Sequence, residues 1–146
     1  MTSPRATFAV IHGLGEHSGR YESFASAMAK RQFSTFAVDL RGMGKSEGTR
    51  GHVESWSEWV QDAAALVAMI QDHPSAGEVI PVGHSFGGVV LLSAVIREAI
   101  LVRRFVLSSR SSPDCVLGAS GLAVGFISTT TCCSWPVAGM VTVAPP

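Results

Sequence analysis

The chain has 146 residues, a length that allows one domain. Its 11 Lys and Arg balance its 11 Asp and Glu, and the lack of a basic run excludes a typical nucleic-acid-binding surface. Residues 1–110 hold all 11 basic and 10 of the 11 acidic residues, whereas residues 111–146 hold Asp114 alone. We therefore expect a folded domain over residues 1–110 and a low-charge tail over 111–146 that lies outside the native fold.

The sequence gives no indication of secretion, a metal site or a disulfide framework. The apolar run near the N-terminus, residues 6–11, is too short for a signal peptide. All three cysteines lie in the tail, and Cys132 and Cys133 are adjacent, with no further ligand at metal-binding spacing. We expect a cytoplasmic protein without a metal, and we leave peripheral membrane contact and the oligomeric state open.

Short apolar runs alternate with runs of helical length. Strands are predicted at Thr7–Ile11, Thr35–Val38, Val79–Val82 and Arg104–Leu107. Helices are predicted at Tyr21–Arg31, at Ser55–Asp72 behind a Ser55/Glu58 capping box, and at Val89–Ile96. This order predicts an α/β fold, a mostly parallel sheet with helices on both faces. Ligands bind such sheets at the carboxyl ends of the strands, so we expect His12, Asp39 and Ser85 on one rim.

The run Gly83-His84-Ser85-Phe86-Gly87 joins a predicted strand to a predicted helix. This is the context in which G-x-S-x-G forms a nucleophile elbow. Such a corner brings the positions two before and two after the serine almost into contact, so neither tolerates a Cβ. Ser85 is therefore the candidate nucleophile, and a glycine-rich turn before a core helix is the alternative.

Two loops after predicted strands resemble phosphate-binding motifs but fit them poorly. In the first, Ser18 stands where a dinucleotide site needs its third glycine, and Glu16 would place a negative charge at the pyrophosphate. In the second, Gly44-Lys45-Ser46 resembles the end of a P-loop, but Asp39 occupies the first glycine position. We expect no cofactor.

The Gly13–Glu16 turn is better explained as part of an oxyanion hole. Acyl transfer needs two backbone N–H groups directed at the developing negative oxygen. One comes from the residue after the nucleophile, here Phe86, and the other from a loop after an earlier strand, here near Leu14. A tight turn without a catalytic role is the alternative.

Three motifs in this order, HGLGEHSGRY, DLRGMGKSEGTRGH and GHSFGG, resemble the monoacylglycerol lipase and lysophospholipase branch of the α/β-hydrolases. The resemblance covers residues 6–109. It implies a serine hydrolase of lipid esters that works through an acyl-enzyme and needs no cofactor. By residue, it implies Ser85 as nucleophile, Leu14 and Phe86 as oxyanion-hole donors, His12, Gly13, Gly83 and Gly87 as structural motif residues, and Asp39–Ser46 as a structural rim loop.

The catalytic triad that this fold requires is incomplete in the sequence. Its order is Ser, then Asp or Glu, then His, but no histidine follows Ser85. The acids downstream are Glu98, expected on the elbow helix and directed away from the rim, and Asp114. We expect this chain to be inactive alone, and the competing interpretation is a non-catalytic fragment that binds lipid or a protein partner.

We also expect the fold to be truncated after the strand that follows the elbow helix. Arg104–Leu107 would then be an exposed edge of an apolar parallel sheet, which invites aggregation. The tail has three explanations, namely a membrane segment, a short alternative C-terminus, or out-of-frame translation. The last is favoured, because charge, periodicity and family likeness are all lost at one point.

The frameshift interpretation makes a prediction about the gene. Read in another frame, the DNA downstream of the Ser109 codon should encode a lid, then an Asp, then a His near the end. Sequencing this region checks the prediction. Two alternative frames that both close early, or that lack the Asp and the His, would show that the tail is a genuine C-terminus.

Overall fold

The computed structural model describes residues 3–109 and 123–128. In chain order the elements are β1 (Thr7–Ile11), a 3₁₀ turn (Ser18–Tyr21), α1 (Glu22–Ala29), β2 (Ser34–Val38), α2 (Trp56–Gln71), β3 (Val79–His84), α3 (Phe86–Ile96), β4 (Arg104–Ser109) and β5 (Ala123–Ser128). The predicted alternation of strands and helices is confirmed. The elbow helix begins at Phe86 rather than at Val89, because Gly87, which was assigned to the corner, and Gly88 already belong to its first turn.

The strands form one sheet in the order β2-β1-β3-β4-β5, and every neighbouring pair is parallel. Ile11 at the end of β1 lies opposite both Val38 of β2 and Gly83 of β3. The loops that follow these three strands therefore share one rim. After β1 the chain continues through α1 to β2, which lies next to β1 on the side away from β3. After β3 it continues through α3 to β4, which lies next to β3 on the side away from β1. The topological switch point, where ligands bind such sheets, thus lies between β1 and β3.

Helices cover both faces of the sheet. Alternate side chains of a strand point to opposite faces, and in β1 they meet different helices. Phe8 packs against Phe24 of α1, with ring centroids 5.6 Å apart. Ala9 and Ile11 instead belong to the buried core that α2 and α3 share. The expected two-sided α/β architecture is confirmed.

The start of α2 follows the prediction only in part. Ser55 is the N-cap, and its hydroxyl accepts a hydrogen bond from the N–H of Ser57 at 3.3 Å. The carboxylate of Glu58 lies 3.8 Å from the guanidinium of Arg41 instead of completing the capping box. The nearby cation from the rim loop therefore competes with the cap for this side chain.

The prediction that Arg104–Leu107 is an edge strand is wrong. β5 pairs with β4 along its whole length, from Arg104 opposite Ala123 to Ser109 opposite Ser128. Residues of the low-charge tail thus form a strand, although no strand period was evident there. The sequence of β5, Ala-Val-Gly-Phe-Ile-Ser, is mostly apolar and does not alternate, and strands of parallel sheets need not alternate.

The crowding at the elbow makes a prediction about stability. A Cβ at Gly83 would lie 2.6 Å from both the carbonyl oxygen of Gly87 and the Cα of Gly88, and this backbone cannot move aside. We expect Gly83→Ala to lower the free energy of unfolding by about 2–3 kcal/mol, as overpacking does. Urea titration followed by tryptophan fluorescence measures the loss.

Gly51→Ala is the matched control. Gly51 has a φ of 67°, but no atom lies within 4 Å of its added Cβ. The cost there should be the backbone strain alone, about 1 kcal/mol. Equal losses in the two variants would contradict the steric account of the elbow.

Candidate active site

Ser85 occupies the corner between β3 and α3 in a strained backbone conformation. Its φ of 50° and ψ of −115° lie in a region that L-residues rarely adopt. The residue is exposed, whereas Gly83 and Gly87 on either side are buried. The N–H of Ser85 donates to the carbonyl of Ser108 at 2.7 Å and so holds the corner against β4. The local geometry is therefore that of an elbow that presents one hydroxyl at the rim.

The first turn of α3 is pressed against the end of β1. A Cβ at Gly87 would overlap the carbonyl oxygens of Ile11 and His12, so only glycine fits there. This contact places the loop after β1 directly beside the elbow. It also places Ser85 at a helix N-terminus, where the unpaired N–H groups favour negative charge.

The turn after β1 is closed by hydrogen bonds at both ends. The N–H of Glu16 donates to the carbonyl of Gly13 at 3.1 Å, and the N–H of Gly13 donates to the Glu16 carboxylate, also at 3.1 Å. Leu14 stands at the tip with 61% of its surface exposed. In the part of the chain that the structure describes, the N–H groups of Leu14 and Phe86 have no hydrogen-bond partner. Both remain available to a ligand oxygen.

His12 is a structural residue in this geometry. Its ring is fully buried, and its Nδ1 lies 2.8 Å from the carbonyl oxygen of Gly13, to which it must donate. Its Nε2 accepts from the N–H of Leu40 at 3.1 Å. Burial lowers the pKa of His12, although Gly13, Asp39 and Glu16 act in the opposite direction. A neutral ring with both nitrogens engaged joins the loops after β1 and β2 and leaves no nitrogen free to act as a base.

None of the other described histidines hydrogen-bonds to the hydroxyl of the candidate nucleophile. His84 Nδ1 lies 3.2 Å from the hydroxyl of Ser108. His52 and His73 are exposed and lie beside Glu54 and Ser75. Within residues 3–109 and 123–128, the Ser85 hydroxyl has no hydrogen-bond partner among histidines or carboxylates. The described residues thus present a nucleophile without a base.

The downstream acids do not supply the missing triad member. Glu98 lies beyond the end of α3 rather than on it, in the left-handed region with a φ of 56°. An 11-residue helix is about 16 Å long, so Glu98 is at the opposite end from Ser85. The expectation that Glu98 lies on the elbow helix is therefore wrong, because the helix ends at Ile96 with Arg97 as its C-cap. Asp114 lies outside the described residues.

Asp39 organises the rim loop. Its carboxylate accepts hydrogen bonds from the N–H of Ser18 at 2.6 Å and of Lys45 at 2.8 Å. Burial would raise the pKa of Asp39, but these hydrogen bonds outweigh it and hold the pKa below its usual range. Both carboxylate oxygens thus accept hydrogen bonds from backbone N–H groups, as is typical of a residue with a structural role.

A second network at the rim was not evident from the sequence. Arg41 forms a bidentate ion pair with Asp62 of α2, and its carbonyl accepts from the indole N–H of Trp59 at 3.1 Å. The ring of Trp59 in turn packs edge-on against Phe86, with centroids 5.0 Å apart. The rim loop, α2 and the residue after the nucleophile are thus linked. The only sequence signal was the position of the two tryptophans on the apolar stripe of α2.

Other features of the described residues place limits on the site. Two grooves of about 830 and 730 Å³ are present, and neither is lined by Ser85, Leu14 or Phe86. No cluster of three or more ligating side chains in the described ranges could hold a metal ion. Among the described helices, none combines the length and the apolar character needed to cross a bilayer.

Comparison with known proteins gives consistent matches. The family model described as "Serine aminopeptidase, S33" matches residues 2–118, so the likeness continues past Ser109, where it was expected to stop. The chain is 37% identical to a human monoglyceride lipase over 117 residues, which cover 75% of this chain and 38% of that protein. It is 37% identical to a monoacylglycerol lipase of Mycolicibacterium smegmatis over 93 residues, 63% of this chain and 33% of that protein.

A solved structure agrees with these matches. A monoacylglycerol lipase of Paleococcus ferrophilus superimposes with a TM-score of 0.62 and 28% identity, over 78% of this chain and 44% of that one. The chain thus spans between a third and a half of the length of these relatives.

The buried ring of His12 predicts how stability depends on pH. The pKa of His12 is lower in the folded chain than its ordinary value of 6.5. Its contribution to stability is therefore fully present above that value and is lost as the pH falls through the folded-state pKa. We expect the free energy of unfolding to fall below about pH 6.5, with a slope from this group of at most about 1.4 kcal/mol per pH unit.

His12→Gln retains a donor and an acceptor but does not titrate, so this part of the pH dependence should disappear. His52→Gln removes an exposed imidazole as the control. Urea titrations across the acid range provide the measurement. The same slope in His12→Gln and in the parent chain would refute the assignment.

Proposed function

Because the chain belongs to the serine aminopeptidase S33 family of α/β-hydrolases, we propose that it carries the nucleophile and the oxyanion hole of a serine hydrolase of carboxylic esters. One observation carries the proposal. Ser85 is exposed on a strained corner, the turn at Gly13 lies close to His84, and the N–H groups of Leu14 in that turn and of Phe86 have no partner in the described residues.

The geometry supports an acyl-transfer mechanism. The Ser85 oxygen attacks the ester carbonyl carbon, and the carbonyl oxygen becomes negative as the tetrahedral intermediate forms. Leu14 and Phe86 donate their N–H groups to that oxygen. Departure of the alcohol leaves an acyl group on Ser85, and water then releases the acid. The N-terminus of α3 favours the negative charge throughout.

Removal of the proton from the Ser85 hydroxyl is the difficult step for this chain. Attack requires a base to accept it, and all five histidines precede Ser85 in the sequence. Loss of the histidine from a working triad costs about a million-fold in turnover, or roughly 8 kcal/mol of barrier. We therefore propose that the chain alone turns over very slowly, and that a full catalytic cycle needs a base in addition to the residues that the structure describes.

The names of the relatives and an apolar side chain at the rim support one substrate class. The relatives above are named monoglyceride or monoacylglycerol lipases, and Leu14 offers an exposed apolar side chain at the tip of the turn after β1. We propose a lipid ester substrate of the monoacylglycerol or lysophospholipid type, with access from a membrane surface. An apolar side chain at the tip of the oxyanion turn suits an acyl chain better than a charged head group.

A non-catalytic role is the second candidate. The absence of a hydrogen-bonded base at Ser85 in the described residues favours it. In that case the open rim would bind a lipid or a protein partner without turnover. The two candidates differ in whether Ser85 can be made to react.

Chemical rescue with imidazole tests the proposal. Without imidazole, we expect hydrolysis of a short-chain nitrophenyl ester to be equal in the parent chain and in Ser85→Ala, because no histidine or carboxylate of the described residues is hydrogen-bonded to Ser85. With imidazole as the missing base, a fluorophosphonate should label Ser85, and mass spectrometry locates the adduct. Ser26→Ala, which removes an exposed serine of α1, should be labelled like the parent chain.

Each outcome separates the candidates. Labelling that depends on Ser85 and rises with imidazole supports the hydrolase. Absence of labelling under all conditions favours the non-catalytic role. Turnover without imidazole that disappears in Ser85→Ala would show that the chain has its own base, which would contradict the predicted inactivity but not the reaction class.

A further inference from the structure

The carboxylate of Glu16 is the most highly connected polar group near the oxyanion turn. Its Oε2 accepts from the N–H of Gly13 at 3.1 Å and from the hydroxyl of Tyr21 at 3.2 Å. Its Oε1 lies 3.5 Å from the guanidinium of Arg20. A turn after β1 is therefore tied, through one side chain, to the residue that precedes α1. The mechanism proposed above assigns no role to these contacts.

The turn needs such support because its own backbone is permissive. It contains Gly13 and Gly15, and Gly15 adopts a φ of 69° with no atom within 4 Å of an added Cβ. Glycine loses more conformational freedom on ordering than any other residue. An oxyanion hole, however, works only if its donors are already directed at the developing charge. A side chain that fixes the turn therefore substitutes for the rigidity that the glycines lack.

The turn is close enough to the nucleophile for its order to matter. A Cβ at Gly13 would lie 3.1 Å from Oε2 of Glu16 and 3.5 Å from the ring of His84, the residue before Ser85. Leu14, whose N–H has no partner in the described ranges, is the next residue. A shift of the turn would move this donor relative to Ser85.

The charge of Glu16 is compensated locally. A carboxylate near an oxyanion hole would repel the negative charge that forms there. Here two hydrogen-bond donors and a guanidinium group stabilise the negative charge of Glu16. Burial, and then the neighbouring Glu16 carboxylate, raise the pKa of the Tyr21 hydroxyl above its ordinary range. The hydroxyl therefore remains protonated and keeps donating at any pH at which esters are assayed.

We propose that Glu16 and Tyr21 form a clamp that positions the N–H of Leu14 for the oxyanion. They are positioning residues, not catalytic ones, because they act through the turn and do not reach the substrate. The inference rests on the proposed function of Ser85. It also explains why the turn carries a carboxylate at the position that argued against a dinucleotide site.

Two variants break the clamp with little change in volume. Tyr21→Phe removes the hydroxyl, and Glu16→Gln replaces one accepting oxygen by a donor. Glu54→Gln makes the same chemical change on a carboxylate whose side chain is 91% exposed. The first readout is amide hydrogen exchange of Gly13 by NMR, because its N–H donates to the Glu16 carboxylate, with β3 amides as the reference for global stability. The second is the rate at which a fluorophosphonate labels Ser85 in the presence of imidazole.

We expect both clamp variants to speed exchange at Gly13, whose N–H donates to Glu16, without changing β3, and to slow labelling by about tenfold, since loss of a whole oxyanion donor costs 10²–10³. Glu54→Gln should match the parent chain in both measurements. Unchanged exchange at Gly13 would overturn the clamp. Faster exchange with an unchanged labelling rate would reduce the pair to a structural role and overturn the positioning inference.

The two proposals fail differently. If the parent chain is not labelled at all, the proposed function fails and the positioning role fails with it. If the parent chain is labelled and the clamp variants are labelled at the same rate, only the positioning inference fails.

Discussion

The candidate site depends on how closely the first turn of α3 approaches the ends of β1 and β3. Gly83 and Gly87 remove the two Cβ atoms that would prevent this approach, since each would overlap backbone rather than a flexible side chain. The same approach forces Ser85 into a left-handed conformation and brings the turn after β1 alongside the elbow. A single steric constraint thus determines both the exposure of the nucleophile and the neighbourhood of its oxyanion donors.

The rim is stabilised by polar side chains whose hydrogen-bonding atoms are all engaged in contacts with backbone groups. His12 uses both ring nitrogens to join two loops, and Asp39 uses both carboxylate oxygens to bind backbone N–H groups. These residues resemble catalytic ones by type and by position at strand ends, but their atoms are already engaged. By contrast, within residues 3–109 and 123–128 the hydroxyl of Ser85 and the N–H groups of Leu14 and Phe86 have no hydrogen-bond partner.

The sequence was sufficient for features with a local cause. β1 was predicted with its observed ends, and the G-x-S-x-G corner was located because crowding imposes glycine at fixed spacing. Features that depend on partners distant in the chain were missed. Arg41 and Asp62 form an ion pair although they are 21 positions apart in the chain. The hydroxyl of Tyr21 donates to Glu16 only because the turn folds back. β5 was missed because its sequence does not alternate between apolar and polar residues, and a parallel sheet does not require it to.

The left-handed conformation of Ser85 limits which nucleophiles this corner can host. Threonine carries the same hydroxyl, but its branched Cβ makes a positive φ a severe outlier, so it is excluded on steric grounds. Cysteine and aspartate are unbranched at Cβ and fit the same backbone. The range of chemistry open to this scaffold through single substitutions is therefore set by the shape of the main chain: a thiol or a carboxylate could replace the alcohol, whereas a secondary alcohol could not.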